Sequence, residues 1–211
     1  MSALPSSAPF SPSIGELKAM VDDELARFLE TRRAALPDAN PLIDEISRTI
    51  EAGGKRLRPA FCYWGFRGGG GVHGDAIVRV AASLELLHTF AVVHDDIMDE
   101  SSQRRGAPTT YALHGVSFAL LVGDLALVLA DDSMMASGFP SEVVARAFGA
   151  YSRMRQEVIA GQYLDLATAK DPLTTEARAR HVAVLKSGRY SIQEPLAIGA
   201  ALAGAPPDLS P

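Results

Sequence analysis

The chain has a single cysteine, Cys62, among its 211 residues, so it can form neither an intrachain disulfide nor a cysteine-cluster metal site. A lone cysteine fits the reducing cytosol, and we expect a cytoplasmic location. Positive charge is also scarce. With a net charge of −5 at pH 7, the protein lacks the basic face that general nucleic-acid binding requires. We therefore expect no nucleic-acid partner, and any anionic ligand must be bound by local positive groups or metals.

The start of the chain lacks the basic residues and the apolar run of a signal peptide. Residues 1–12 are rich in Ser, Ala and Pro, and we expect them to be a disordered lead to one domain over residues 13–211. The longest apolar stretch, residues 116–136, contains three aspartates and a glycine. This composition predicts a buried core helix rather than a membrane span, and we expect no stable membrane insertion.

Alternating strand patterns of useful length are absent, whereas apolar residues recur at helical spacing nearly throughout. Ser13 is a predicted N-cap, with Glu16 as its capping-box partner. Glycines and prolines divide the rest of the chain into further helices. The longest of these are predicted over about residues 74–101, 116–135 and 141–169. The sequence therefore predicts an all-α fold.

The sharpest motif is HDDIMD at residues 94–99, at the end of a long apolar helix. Asp95 and Asp99 are four residues apart and share a helical face, where like charges repel each other unless a cation lies between them. Mg²⁺ suits such a site, because it is usually bound by one or two carboxylates and by substrate phosphates. His88 and Ala91 fall on the same stripe, which predicts the wall of a cavity. A solvated helix end and a core histidine are the alternatives.

Two groups of basic residues accompany the acids. The string GGKRLRP at residues 53–59 places three cations beside two glycines, which allow a ligand to approach the backbone closely. Lys55, Arg56 and Arg58 could together bind a diphosphate, although the string is not a P-loop. Arg104 and Arg105 follow the acids and could hold a metal–diphosphate from the other side. A basic surface loop and simple charge pairing are the alternatives.

Taken together, the motifs resemble those of the trans-isoprenyl diphosphate synthases, also called polyprenyl synthases. The resemblance rests on the order and spacing of GGKRLRP, ELLH at 85–88, HDDIMD, RRG at 104–106, GQYLD at 161–165 and KSGR at 186–189. It implies antiparallel helices around a central cavity. It also implies Mg²⁺-dependent head-to-tail condensation of isopentenyl diphosphate with an allylic diphosphate. The family's members are usually homodimers, and residues 116–136 are a reasonable interface.

The resemblance also implies a role for each motif residue. Asp95 and Asp99 would ligate Mg²⁺, with Asp96 supporting them. The residues implied to bind isopentenyl diphosphate are Lys55, Arg58, His88 and Arg105, with Arg56 assisting nearby. Those implied to bind the allylic diphosphate are Arg104, Gln162 and Lys186, of which Gln162 and Lys186, like Asp165, are weak signals alone. The implied catalytic set is Asp95, Asp96, Asp99, Arg104 and Lys186.

Two residues just before the acids are candidates for setting product length. Ala91 is four residues before Asp95, on the same helical face, and is small. Phe90 is bulky but angled to the side on the helical wheel. In the family an aromatic at this place usually marks a short product, and the pair resembles the geranylgeranyl diphosphate synthases more than the farnesyl ones. We expect a C20 main product, with C15 as the alternative. A stop near Phe118 and Leu121 would be the other possibility.

The sequence lacks one motif of the family. The family carries a second Asp-rich motif beyond Lys186, and the only later acids in this sequence are Glu194 and Asp208. The family's chains are also longer, so we expect this sequence to correspond to the N-terminal two thirds of such an enzyme. A class I terpene cyclase also uses an Asp-rich motif but needs no second diphosphate site. A non-catalytic subunit is the other alternative, and the intact first motif favours the synthase.

Overall fold

The computed structural model of the protein describes residues 11–169 and 173–205, and these residues form the predicted all-α fold. Short segments of 3-10 helix (Pro37–Ala39) and π-helix (Val184–Gln193) join the α-helices. The α-helices are α1 (Ile14–Ala35), α2 (Asn40–Glu51), α3 (Leu57–Gly68), α4 (Asp75–Met98), α5 (Thr110–Met135), α6 (Ser141–Ala169), α7 (Glu176–Ala183) and α8 (Glu194–Leu202).

The first helix begins with the predicted capping box. The Ser13 backbone N–H donates to the Glu16 carboxylate at 2.8 Å, and the Glu16 N–H donates to Ser13 Oγ at 3.2 Å. Two of the N–H groups that a helix start leaves without partners are satisfied in this way. The prediction for this helix start is confirmed.

Helix α4 lies at the centre of the bundle and packs most extensively against α5, and also against α3, α1 and α2. Its buried residues occur on every side, as expected for a helix that is apolar all round. The helix ends at Met98, so its acidic end is presented at one edge of the core, where the functional motifs gather.

A two-stranded hairpin follows α4. Strand β1 (Gln103–Arg104) pairs in antiparallel fashion with β2 (Ala107–Pro108). Arg105 and Gly106 form the turn with positive φ values of 53° and 79°, as tight hairpin turns require. Strands of two residues are too short to produce an alternating pattern, so the sequence did not predict them. The hairpin directs Arg104 back over the end of α4.

Helix α5 begins six residues before the predicted start at 116 and is kinked at Gly115, where φ is 79°. The prediction that residues 116–136 are buried holds only for the inner face. Val116, Leu120, Leu121 and Val128 are exposed. By length and composition, α4 and α5 could each cross a membrane, but 72% of the apolar window of α4 is buried within the bundle, against 28% for α5.

The chain beyond α6 departs from the predicted pattern. Thr175 caps α7, but α7 ends at Ala183 and the backbone continues as a π-helix. Helix α8 then crosses α3 closely. A Cβ on Gly199 would lie 2.0 Å from the Cys62 carbonyl oxygen, so only glycine fits at this point of the crossing. Residues 1–10 of the predicted lead, residues 170–172 and residues 206–211, with Asp208, lie outside the described residues.

Candidate active site

The acidic motif at the end of α4 faces cations from two other elements. Asp96 is buried and accepts from Arg104 Nε at 2.9 Å. Asp95 lies 3.3 Å from Arg104 Nη2 and 3.0 Å from Lys186 Nζ. Asp99 is the exposed C-cap of α4. Partial burial raises the pKa of Asp99, and the charges of the Asp95 and Asp165 carboxylates raise it further.

Lys186, from the π-helical segment, lies between two of these carboxylates. Its Nζ donates to Asp165 Oδ2 at 2.7 Å and is 3.0 Å from Asp95 Oδ1. Partial burial lowers the pKa of Lys186, but the two carboxylates outweigh this effect and the net shift is upward. The fold therefore joins Asp165 and Lys186, which are weak signals in the sequence, to the acidic motif.

The donor set fits a hard divalent cation. Asp95 Oδ1 is buried and accepts no hydrogen bond, although a cation lies 3.0 Å away. Among the residues that the structure describes, no three His, Cys, Asp or Glu side chains form a ready metal-binding group. Mg²⁺ is usually held by one or two protein carboxylates while water and substrate phosphates supply its other ligands, and Asp95 and Asp99 are the carboxylates that could hold it here.

A cavity of about 530 Å³ opens beside the acids. Asp95, Arg104, Gln162 and Lys186 line its polar part. Both polar atoms of the Gln162 side chain are buried without hydrogen-bond partners, as is Nδ1 of His88. Leaving such groups unsatisfied costs about 1–3 kcal/mol each, so this wall suits a polar ligand. The cavity volume lies within the range of about 300–1,000 Å³ that is typical of small-molecule sites.

The rest of the same cavity is apolar. Phe90 and Ala91 both line it, with Val158, Ile159 and Leu166 of α6. The helical wheel suggested that Phe90 is angled away from the channel, but the structure places it in the channel wall. Its ring packs edge-on against His94, with 4.9 Å between ring centroids, and the ring remains part of the wall. Phe118 and Leu121, the alternative product stop, do not line this cavity.

A second pocket, of about 420 Å³, is strongly basic. It is lined by residues of the glycine loop (Gly54, Lys55, Arg56, Leu57 and Arg58), by Glu85 and His88 of α4, and by Arg105 of the hairpin. The loop turns through Gly53 and Gly54 at φ values of 95° and 157°, which glycine adopts without strain. The cations of the loop and of the hairpin thus converge on one space.

Arg56 differs from its neighbours in this loop. It adopts a left-handed backbone conformation, with φ of 50°, and is only 6% exposed. Its guanidinium donates to Asp22 at 2.7 Å, to Glu85 at 3.0 Å and to the Ile50 carbonyl oxygen at 2.9 Å. All three of its nitrogens therefore have internal partners. Arg56 thus anchors the loop to the core while it also lines the basic pocket, and its assistance in diphosphate binding stays a prediction.

His88 belongs to both pockets. Burial lowers its pKa well below the usual value, and the charges of Arg58 and Arg105 lower it further. The imidazole is therefore neutral at physiological pH in the absence of ligand. It can act as a hydrogen-bond donor between the two pockets without adding a positive charge.

Tyr190 and Ser191 were not predicted from the sequence as site residues, yet both contact Arg58. Tyr190 is buried, lines the larger cavity and has no partner for its hydroxyl. The only signal in the sequence is its position four residues after Lys186. That spacing does not reveal a contact with Arg58, which is more than 130 residues away.

The polyprenyl synthetase family model matches residues 40–210. A geranylgeranyl diphosphate synthase of Cyanophora paradoxa is 31% identical over 198 residues, covering 90% of this chain and 63% of that protein. A geranylfarnesyl diphosphate synthase of Aeropyrum pernix is 38% identical over 161 residues, covering 74% of this chain and 50% of that protein.

A solved structure agrees with these sequence relatives. The geranylgeranyl pyrophosphate synthase of Corynebacterium glutamicum, complexed with isoprenyl diphosphate and magnesium, has a TM-score of 0.88 at 32% identity. The match covers 92% of this chain and 61% of that one. The chain thus spans between half and two thirds of the length of these three relatives. The family model matches most of this chain, and the solved relative has the same all-α fold. The chain therefore belongs to the polyprenyl synthetase family.

Proposed function

We propose that the protein catalyses the head-to-tail condensation of isopentenyl diphosphate with an allylic diphosphate, giving a short-chain prenyl diphosphate. The observation that supports this most is the pair of pockets that meet at His88. One has an ionic mouth and an apolar interior, as a prenyl diphosphate requires, and the other is lined by cations. Relatives named as synthases of geranylgeranyl and geranylfarnesyl diphosphate support the same reaction class.

In this proposal the larger cavity binds the allylic substrate. Arg104 and Lys186 would neutralise its diphosphate as the allylic C–O bond breaks, and Gln162 would donate a hydrogen bond to it. Asp95 and Asp99 would hold Mg²⁺, which neutralises further charge on the leaving diphosphate when it is bound. Asp96 holds Arg104 in place through its ion pair at 2.8 Å. Catalysis of this kind is mainly electrostatic stabilisation of a leaving group.

The basic pocket would bind isopentenyl diphosphate through Lys55, Arg58, Arg105 and His88. Its double bond would then attack the allylic carbocation at the boundary between the pockets. The new carbon–carbon bond leaves a cation, which loses a proton to complete the product, and the diphosphate released from the allylic substrate can accept that proton. Because the two substrates occupy adjoining pockets, their reacting carbons are held together, and this proximity contributes much of the rate.

The apolar interior would accept the growing chain. We propose a C20 main product, with Phe90 and Ala91 determining how far the chain extends. Both residues lie in the wall of the cavity one turn below Asp95. The bulky ring narrows the channel and the small alanine leaves room, so a substitution at either position should change its length.

We also propose that the protein forms a homodimer through α5. The exposed apolar residues Val116, Leu120, Leu121, Val128 and Met135 lie along this helix. Apolar surface in such a row is unusual on a monomer and typical of an interface. Cross-linking or light scattering at micromolar concentration would measure the oligomeric state, and a Leu121→Asp substitution should shift it towards monomer.

The test of the proposed reaction uses the intact protein with Mg²⁺, isopentenyl diphosphate and dimethylallyl diphosphate. We expect release of inorganic diphosphate and prenyl diphosphate products, and loss of both when EDTA is added. A terpene cyclase would release diphosphate from a long allylic substrate without isopentenyl diphosphate. A non-catalytic subunit would bind substrates without turnover. Either result would contradict the proposal.

A further inference from the structure

The guanidinium of Arg58 is held by two neutral groups of the π-helical segment. Its Nη2 donates to Ser191 Oγ at 2.8 Å, and its Cζ lies 4.3 Å from the centroid of the Tyr190 ring. Within residues 11–169 and 173–205, Arg58 forms no ion pair. A ring face and a hydroxyl fix the direction of a cation without neutralising it, so its positive charge remains available to a ligand.

Tyr190 is itself firmly placed. It is only 2% exposed, lies at the wall of the larger cavity and has its ring centroid 6.2 Å from that of His88. Burial raises the pKa of Tyr190 to about 12, so the ring is a neutral phenol, whose face attracts cations. The residue thus lies where the two pockets meet, beside two of the groups assigned to the basic pocket.

The segment that carries Tyr190 contacts residues of both pockets. Lys186, near its start, contacts Asp95 and Asp165, whereas Tyr190 and Ser191, near its end, contact Arg58. π-Helical turns are uncommon and are frequent at functional sites. Their wider turn places these side chains at angles that a continuous α-helix would not produce.

We propose that Tyr190, assisted by Ser191, is a positioning residue that directs Arg58 into the basic pocket and thereby determines the affinity for isopentenyl diphosphate. The inference rests on the proposed function. Because the ring acts through Arg58, its removal should weaken the binding of isopentenyl diphosphate much more than that of the allylic diphosphate, whose cavity Tyr190 also lines.

The test compares Tyr190→Leu, which removes the ring, with Tyr190→Phe, which retains it. We expect Tyr190→Leu to raise KM for isopentenyl diphosphate about tenfold and KM for the allylic substrate less than about twofold. Tyr190→Phe should restore most of the lost affinity. The double variant Arg58→Ala/Tyr190→Leu should be no worse than Arg58→Ala alone, because both substitutions remove the same interaction.

Should Tyr190→Leu fail to fold, Ser191→Ala removes only the hydroxyl that Arg58 contacts. It should raise KM for isopentenyl diphosphate about threefold, again without affecting the allylic substrate. Equal effects on both substrates, or additive effects with Arg58→Ala, would overturn the inference. If the unmodified protein fails to bind isopentenyl diphosphate in calorimetry, the proposed function fails and the inference with it. If the unmodified protein turns over normally and Tyr190→Leu and Ser191→Ala leave KM for isopentenyl diphosphate unchanged, the inference is overturned while the proposed function stands.

Discussion

The two pockets that meet at His88 hold their positive charges in different ways. In the larger pocket, Lys186 and Arg104 form ion pairs with Asp95, Asp96 and Asp165. In the basic pocket, Lys55 and Arg105 have no ion-pair partner among the described residues, and neutral groups hold Arg58. The first arrangement suits a diphosphate that arrives with a metal, since acids and cations are both present. The second suits a diphosphate bound by cations alone.

The largest effect is expected from removal of Asp95, an acid that lines only the larger pocket. Asp95→Ala should lower turnover by about a thousandfold or more, because it removes a proposed metal ligand. Only a small change in the free energy of unfolding is expected, within about 1 kcal/mol, since partly exposed ion pairs contribute little. Diphosphate release and urea denaturation measure the two effects. Asp38→Ala, at an exposed position, is the control, and near-normal turnover in Asp95→Ala would contradict the metal site.

A second pair of substitutions distinguishes Arg56, which anchors the loop to the core, from Lys55, which is proposed to bind diphosphate. Arg56→Ala should lower the free energy of unfolding by about 3 kcal/mol, because it leaves the buried Glu85 carboxylate without its partner. Lys55→Ala, at the neighbouring exposed position, should change it by less than about 0.5 kcal/mol while weakening diphosphate binding. Equal losses of stability in urea denaturation would show that Arg56 and Lys55 do not have separate structural and binding roles.

The difference between the pockets can be sharpened by matched arginine variants. Arg58→Ala should raise KM for isopentenyl diphosphate more than KM for the allylic substrate, and Arg104→Ala should do the reverse. Each substitution removes a charge-assisted contact of about 1.5–3 kcal/mol, equivalent to roughly ten- to a hundredfold. Steady-state kinetics with each substrate varied in turn would measure this. A uniform effect of both variants on both substrates would mean that the pockets are wrongly assigned.

The larger pocket also contains an apolar channel, which the basic pocket lacks. Phe90→Ala should lengthen the main product by about one isoprene unit, and Ala91→Phe should shorten it, because one opens and the other fills the same channel. Chromatography of dephosphorylated products measures the lengths. An unchanged distribution in both variants would place the stop elsewhere, for which Phe118 and Leu121 remain the candidates.

The smallest expected effect concerns the pH dependence of stability. His88 has a lowered pKa in the folded state, so below pH 6.5 the unfolded chain takes up a proton that the folded chain does not. Stability should therefore fall as the pH is lowered from 7.5 to 5.5, by on the order of 1 kcal/mol from this residue alone. His88→Gln should flatten that slope, whereas His181→Gln, at an exposed position on α7, should not. Thermal unfolding across this pH range would decide between them.

Much of the fold was predictable because its signals are local. The Ser13–Glu16 capping box and the unbroken apolar run of α4 depend on residues that are near each other in the sequence. Failures occurred where local signals were weak. The hairpin strands are only two residues long, and the π-helical segment looks like ordinary helix in its composition. Tertiary packing also left one face of α5 exposed, which its apolar sequence did not predict.

Local signals in the sequence are enough to name the candidate site residues, because helical periodicity puts Asp95 near Asp99 and the glycine loop groups its cations. The tertiary structure alone gives each of them its partners. Lys55, Arg56 and Arg58 differ little in sequence, yet Arg56 turns inward to Asp22 and Glu85 while Arg58 meets Tyr190 and Ser191. These partners lie far away along the chain. Periodicity and capping act over a few residues, whereas the choice of a buried partner depends on which distant segments the core brings together.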